Sequence, residues 1–224
     1  MGLSDYIFPM RCHLCGAALG DGEEFLCSSC LASLPRTGYH RHPDNRMARH
    51  FSGLVPYVRA SGHFFYSRGN NVAQLIYDLK YRRFRNLARW LGECAGAELL
   101  AAGFFDGIDA VVPVPMHFWK KAVRGYNQTE EIAVGIHRAT GLPVITGLTA
   151  IRPHRTQTSL SPEQRRRNVS GIFRMRHPEE FEGKHLLILD DVCTTGSTLT
   201  AASEAVSAGA PTATLSLLTL ACVF

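Results

Sequence analysis

The sequence predicts an α/β fold, a parallel sheet flanked by helices, with a small zinc-binding module at its N-terminus. Three observations predict it. Short apolar runs at Asp109–Pro115, His185–Asp190 and Thr212–Val223 suit strands buried on both faces. Segments of helical spacing alternate with them, as in parallel sheets with crossover helices. Near the start stand two C-x-x-C pairs, Cys12 with Cys15 and Cys27 with Cys30.

The chain has 224 residues, 46% hydrophobic and 19% charged, which implies a globular protein rather than a disordered one. That length allows one substantial domain and a small accessory one. We expect a zinc module over residues 1–36, a linker with a short hairpin over 37–69, and the α/β domain over 70–224. The formal charge of +5 favours anionic partners. The start lacks a basic, then apolar, leader pattern. The last 20 residues, from Ala205, are uncharged but contain Gly209 and Pro211. They read as a helix end and a buried strand, not a membrane span. The expected compartment is the cytoplasm.

The four grouped cysteines present thiolates for one tetrahedral zinc. Gly16 follows the first pair, where a tight knuckle needs permissive backbone. Few apolar residues lie in this segment, so bound metal must replace a core, supplying on the order of 10 kcal/mol. With four protein ligands the zinc is structural. Cys94, Cys193 and Cys222 are scattered and are not expected to join it.

The next elements follow in order. Thr37–His50 is polar and reads as a linker, and Phe51–Ser67 as a hairpin or edge pair. Val72, Leu75, Ile76 and Leu79 begin a helical pattern, which Phe84, Leu87, Ala88 and Leu91 resume after a break in phase. Between them "LKYRRFR" (79–85) mixes basic residues with aromatics. It suits either a solvated helix face or a grip on single-stranded nucleic acid. Asn127 or Thr129 can cap a helix that Gly141 ends, with Glu130 and Glu131 at its positive end. Residues 142–150 and 171–175 read as strands, Arg152–Asn168 as a long polar loop, and Ser197–Ala208 as a helix.

At "LLILDDVCTTGST" an apolar strand runs into Asp190 and Asp191, then into a turn of hydroxyl residues around one glycine. Ligands of open parallel sheets bind beyond the carboxyl ends of strands. Backbone amides of the turn and the following helix N-terminus can receive a phosphate, with Thr194, Thr195, Ser197 and Thr198 adding hydroxyls. Gly196 lets the backbone approach closely. Carboxylates would repel that phosphate, so the acids should face sugar hydroxyls, for which they are strong acceptors. The site therefore reads as one for a phosphorylated ribose. A second loop, "VPMHFWKKAVRGYNQ", also joins a strand to a helix, and Lys120, Lys121, Arg124 and the helix start at Asn127 can neutralise a pyrophosphate.

This 190 segment resembles the phosphoribosyl-pyrophosphate signature of type I phosphoribosyltransferases. With the cysteine pairs, "LKY" (79–81), "VPVP", "RGYNQ" (124–128) and "RRRNVSGIF" (from Arg165), nearly the whole chain resembles the ComF family. The resemblance implies Asp190 and Asp191 at the ribose hydroxyls and Thr194–Thr198 around the 5′-phosphate. It implies a role in DNA uptake during natural transformation, with single-stranded DNA and a DNA-uptake helicase as partners. One departure is visible: His154 stands where the family commonly has Thr, three residues before Gln157.

The expected chemistry is magnesium-dependent transfer of the phosphoribosyl group to an acceptor the sequence does not reveal. Asp190, Asp191 and Arg124 would carry it. Cleavage at ribose C1 builds positive charge on the sugar, so positioning and electrostatics would do the catalysis. Magnesium would bridge pyrophosphate and sugar hydroxyls with few protein ligands. Arg155, Gln157 and Arg165 lie in the candidate lid that excludes water. The alternative is a non-catalytic nucleic-acid-binding or nucleotide-sensing module on the same fold.

Overall fold

A computed structural model describes residues 10–151 and 171–224. Its centre is a four-stranded, all-parallel sheet in the order β1 (Ala60–Phe65), β6 (Thr214–Cys222), β5 (His185–Cys193), β2 (Ala110–Pro113). Alternate side chains of the central strands point to opposite faces, as the strand repeat requires. Leu187 and Leu189 enter one apolar layer, while Leu186 and Ile188 enter the other. Both faces are therefore dry, which explains the near-continuous apolar runs.

On one face lie α3 (Asn71–Tyr81), α4 (Arg85–Ala101) and α6 (Gln128–Thr140). Helices α4 and α6 pack with their backbones close together. A Cβ on Gly92 would collide with the Ile132 carbonyl, and one on Gly135 with the Arg89 carbonyl. The other face carries α2 (Arg46–Phe51) and α7 (Ser197–Gly209). Two further short helices are α1 (Ser28–Ala32) and α5 (Phe118–Arg124). Asn127 and Gly141 bound α6 as the sequence predicts: the Asn127 side chain accepts from the Thr129 amide, and Gly141 is left-handed.

The region read as linker and hairpin differs from expectation. Residues 37–69 hold no hairpin; Ala60–Phe65 is instead an edge strand parallel to β6. Its outer side meets Arg36 in a single antiparallel bridge at Phe64. Nor is 37–50 a bare linker. Met47, Ala48 and Phe51 of α2 are fully covered, and buried Asn45 donates to the carbonyls of Tyr39, His42 and Ala60. Three apolar residues among many polar ones were enough to anchor a helix. The stretch 142–150 also divides: Val144 bridges Val111, and β3 (Leu148–Ala150) pairs antiparallel with β4 (Phe173–Met175). The polar loop from Arg152 lies outside the described residues.

The N-terminal module docks on α4. His13 meets the Phe84 ring edge-on at 4.4 Å, and Phe25 lies 5.7 Å from Trp90. Arg36 grips Glu98 of α4 through two nitrogens, at 2.8 and 2.7 Å, and donates to the Leu31 carbonyl of α1.

Candidate phosphoribosyl site and zinc centre

Asp190 and Asp191 stand near the carboxyl end of β5, flanked by strands on both sides. Asp190 is buried and Asp191 partly covered. The Asp191 amide donates to Asp190 Oδ1 at 2.8 Å, and the Val192 amide to Asp191 Oδ1 at 2.7 Å. Burial first, and then the neighbouring Asp191 charge, push the Asp190 carboxyl up to about 7. The Thr129 hydroxyl, from the first turn of α6, hydrogen-bonds the same carboxyl.

Beyond Cys193 the chain turns through exposed Thr194 and Thr195 into α7. Gly196 caps that helix in the left-handed region, at φ +73°. Its missing side chain also matters: a Cβ there would lie 2.9 Å from the Phe51 ring and from His50 Nε2. His50 Nε2 donates to the Thr195 carbonyl at 3.1 Å, and its ring stacks on Phe224 at 4.3 Å. The Thr195 and Ser197 hydroxyls lie 3.1 Å apart. The result is an open loop with its amides at a helix start, supported from below by α2, a geometry that receives anions.

The second loop contributes α5, an element the sequence reading did not contain. Lys120 and Arg124 share one electrostatic neighbourhood with Lys80 and Asp191; burial and the two cations draw the Lys120 amine down. Lys121 instead pairs with Glu130 at 2.9 Å. Arg124 lies over the Tyr81 ring, 5.5 Å from its centre. Asn127 is buried, donating to the Val114 carbonyl at 3.1 Å, so its role here is to fix the turn. Arg155, Gln157, Arg165 and His154 lie outside the described residues.

One member of this site was missed. Lys80, read as part of a basic run, places Nζ 2.9 Å from Asp191 Oδ2. The rest of that run is largely exposed, as a solvated face would be, but its arginines are tied to the protein. Arg82 pairs with buried Asp78, Arg83 donates to the Val123 carbonyl, and Arg85 to that of Gly125. Arg83 has a left-handed backbone, φ +60°, where the helical phase breaks. The signal for Lys80 was present in the sequence as helical phase: it follows buried Ile76 by four residues, at the edge of the apolar face, whereas Tyr77 and Tyr81 are exposed.

At the other end, the sulfurs of Cys12, Cys15, Cys27 and Cys30 all lie within 4.8 Å of one another. Cys15 and Cys27 are 3.7 Å apart, close to the edge of about 3.8 Å in a tetrahedral zinc–thiolate site. The amide of Gly16 returns to the Cys12 carbonyl in a tight knuckle, with Gly16 at φ +73°. The donor set and spacing fit a structural zinc.

A parallel sheet with an acid pair at a central strand end, followed by a glycine turn into a helix, defines a phosphoribosyltransferase-fold protein. The chain belongs to the phosphoribosyl transferase domain family, whose pattern matches residues 101–222, and it carries a double zinc ribbon domain over residues 3–41. Only four cysteines fall in that ribbon, enough for one zinc. It is 29% identical over 203 residues to the DNA utilization protein YhgH of Escherichia coli K12, covering 85% of this chain and 88% of that protein. It is 26% identical over 208 residues to Competence protein F of Haemophilus influenzae, covering 88% and 90%. These relatives bear out the ComF resemblance. Among solved structures, the glutamine phosphoribosylpyrophosphate amidotransferase of B. subtilis matches 62% of this chain with 25% identity and a TM-score of 0.34; the chain spans 26% of its length. Among the described residues no helix is long and apolar enough to cross a membrane.

Proposed function

We propose that this chain binds phosphoribosyl pyrophosphate at the 190 loop and acts as a phosphoribosyltransferase-like protein serving DNA uptake. The observation that carries the reading is Asp190 and Asp191 leading directly into an open, left-handed Gly196 turn at the start of α7. In this reading the 5′-phosphate takes the amides of 194–198, the ribose hydroxyls face the acids, and Lys120 and Arg124 meet the pyrophosphate. Magnesium would supply charge neutralisation to the departing pyrophosphate. Two acids with committed oxygens fit a cation that arrives on the ligand and leans little on protein. Transfer to an acceptor is part of the same proposal. A four-cysteine metal arrangement rather than disulfides fits a reducing compartment, the cytoplasm. Titration calorimetry with magnesium tests the binding: the wild type should release heat, and Asp190→Asn with Asp191→Asn should abolish it. Absence of wild-type heat, or equal heat from the double variant, would end the proposal.

A second reading is a single-stranded nucleic acid held beside this site. It is favoured by exposed Tyr77, Tyr81, Phe118 and Trp119, the two tyrosine rings 4.8 Å apart and the other two 4.7 Å apart. Such rings stack bases, each worth about 1–3 kcal/mol. A DNA-uptake helicase as partner belongs to this reading. Oligonucleotide affinity that falls steeply with salt supports it, and no binding at low salt rules it out.

A further inference from the structure

The pair Lys80–Asp191 is built rather than incidental. Lys80 belongs to α3, which precedes the matched residues 101–222. Its side chain keeps 24% of its surface exposed and that of Asp191 14%. The backbone beside it is pinned, because the Tyr126 hydroxyl donates to the Leu79 carbonyl at 2.6 Å. Three carboxylate oxygens of the acid pair are already engaged. Asp190 Oδ1 takes the Asp191 amide, Asp191 Oδ1 the Val192 amide, and Asp191 Oδ2 the Lys80 ammonium.

A divalent cation such as Mg²⁺ or Mn²⁺ wants about six oxygens in a near-octahedral shell. The amide bonds leave each oxygen a second lone pair, but the ammonium 2.9 Å from Asp191 Oδ2 fills one side of that carboxylate and repels a further cation brought beside it. An ammonium is monovalent and needs no such shell, and it cancels the Asp191 charge, which would otherwise repel a phosphate. Removing one partner of such a poorly hydrated pair leaves an uncompensated charge, and a divalent cation at the vacated carboxylate would offset it.

We infer that Lys80 is a permanent counter-cation of the acid pair, occupying at Asp191 the place a free divalent cation would take. The acids then receive sugar hydroxyls instead of metal, and any divalent ion enters with the ligand. The inference rests on the reading of the acid pair given above. Its test contains no phosphoribosyl ligand, so failure of one is distinguishable from failure of the other.

The experiment titrates Mn²⁺ into the zinc-retaining full chain and follows free Mn²⁺ by electron paramagnetic resonance. The wild type should bind weakly. Lys80→Met should gain a site about tenfold tighter or more. Lys80→Arg should behave as wild type, and Lys80→Met with Asp191→Asn should lose the gain. Equal affinity of wild type and folded Lys80→Met overturns the inference. A second measurement needs no variant. The chain has only four lysines, so amine acylation can be read residue by residue. Lys80 should label slowly and at the same rate with or without millimolar Mn²⁺. A rise in Lys80 labelling as Mn²⁺ is added would mean that metal displaces the ammonium, and would overturn the inference equally.

Discussion

His50 Nε2 donates to the carbonyl of Thr195 at 3.1 Å, so a short helix read as linker holds the loop at the heart of the site. His50→Ala removes this bond and the stack on Phe224 but leaves Phe51 in place. We expect binding of phosphoribosyl pyrophosphate to weaken by about fivefold, the equivalent of one hydrogen bond near 1 kcal/mol. Calorimetry on the variant measures it, and a circular dichroism melt should move only slightly.

Gly196→Ala should cost more. The position needs a left-handed backbone, and a methyl group would press on the Phe51 ring. We expect a stability loss of about 1–3 kcal/mol by urea denaturation. Ligand binding should fall too, because the loop amides are re-aimed.

Asp190 makes stability depend on pH in a definite direction. Its folded-state pKa is raised from 3.8 to about 7, so between those values the folded chain holds a proton that the unfolded chain has released. Stability must therefore fall as pH rises through that window and level off above it. Asp190→Asn removes the penalty. The variant should match wild type near pH 4 and exceed it at pH 8, by on the order of 4 kcal/mol. Denaturation at the two pH values decides it.

Stripping zinc should open the N-terminal module first. Few apolar residues replace the metal, and small zinc modules owe it on the order of 10 kcal/mol. With a strong chelator, residues 10–41 should become the first segment cut by protease. Cys27→Ser should reproduce the effect without chelator.

Much of this architecture was legible in the residues. The apolar runs gave β2, β5 and β6 because burial on both faces leaves no polar alternation to misread. The acid pair and glycine turn were legible because their spacing is local. What failed was long-range. Nothing near Ala60 says that it will pair in parallel with Leu217, close to the other end of the chain, rather than fold back as a hairpin. Likewise Lys80 and Asp191 meet only because α3 packs over the end of β5. Within "LKYRRFR" the neighbours look alike, yet one lysine faces the acids while Arg83 and Arg85 hold backbone carbonyls.

The contact of Arg36 with Phe64 carries a consequence for the cell. That short bridge, with the Phe65 amide donating to Pro35 and the Thr37 amide to His63, blankets the outer rim of β1. The blanket is the tail of the metal-dependent ribbon. Starved of zinc, the protein would bare unsatisfied backbone groups along a rim that a second molecule can extend, and self-association is the expected fate. Light scattering that rises on chelation, and subsides when zinc is returned early, would be its signature.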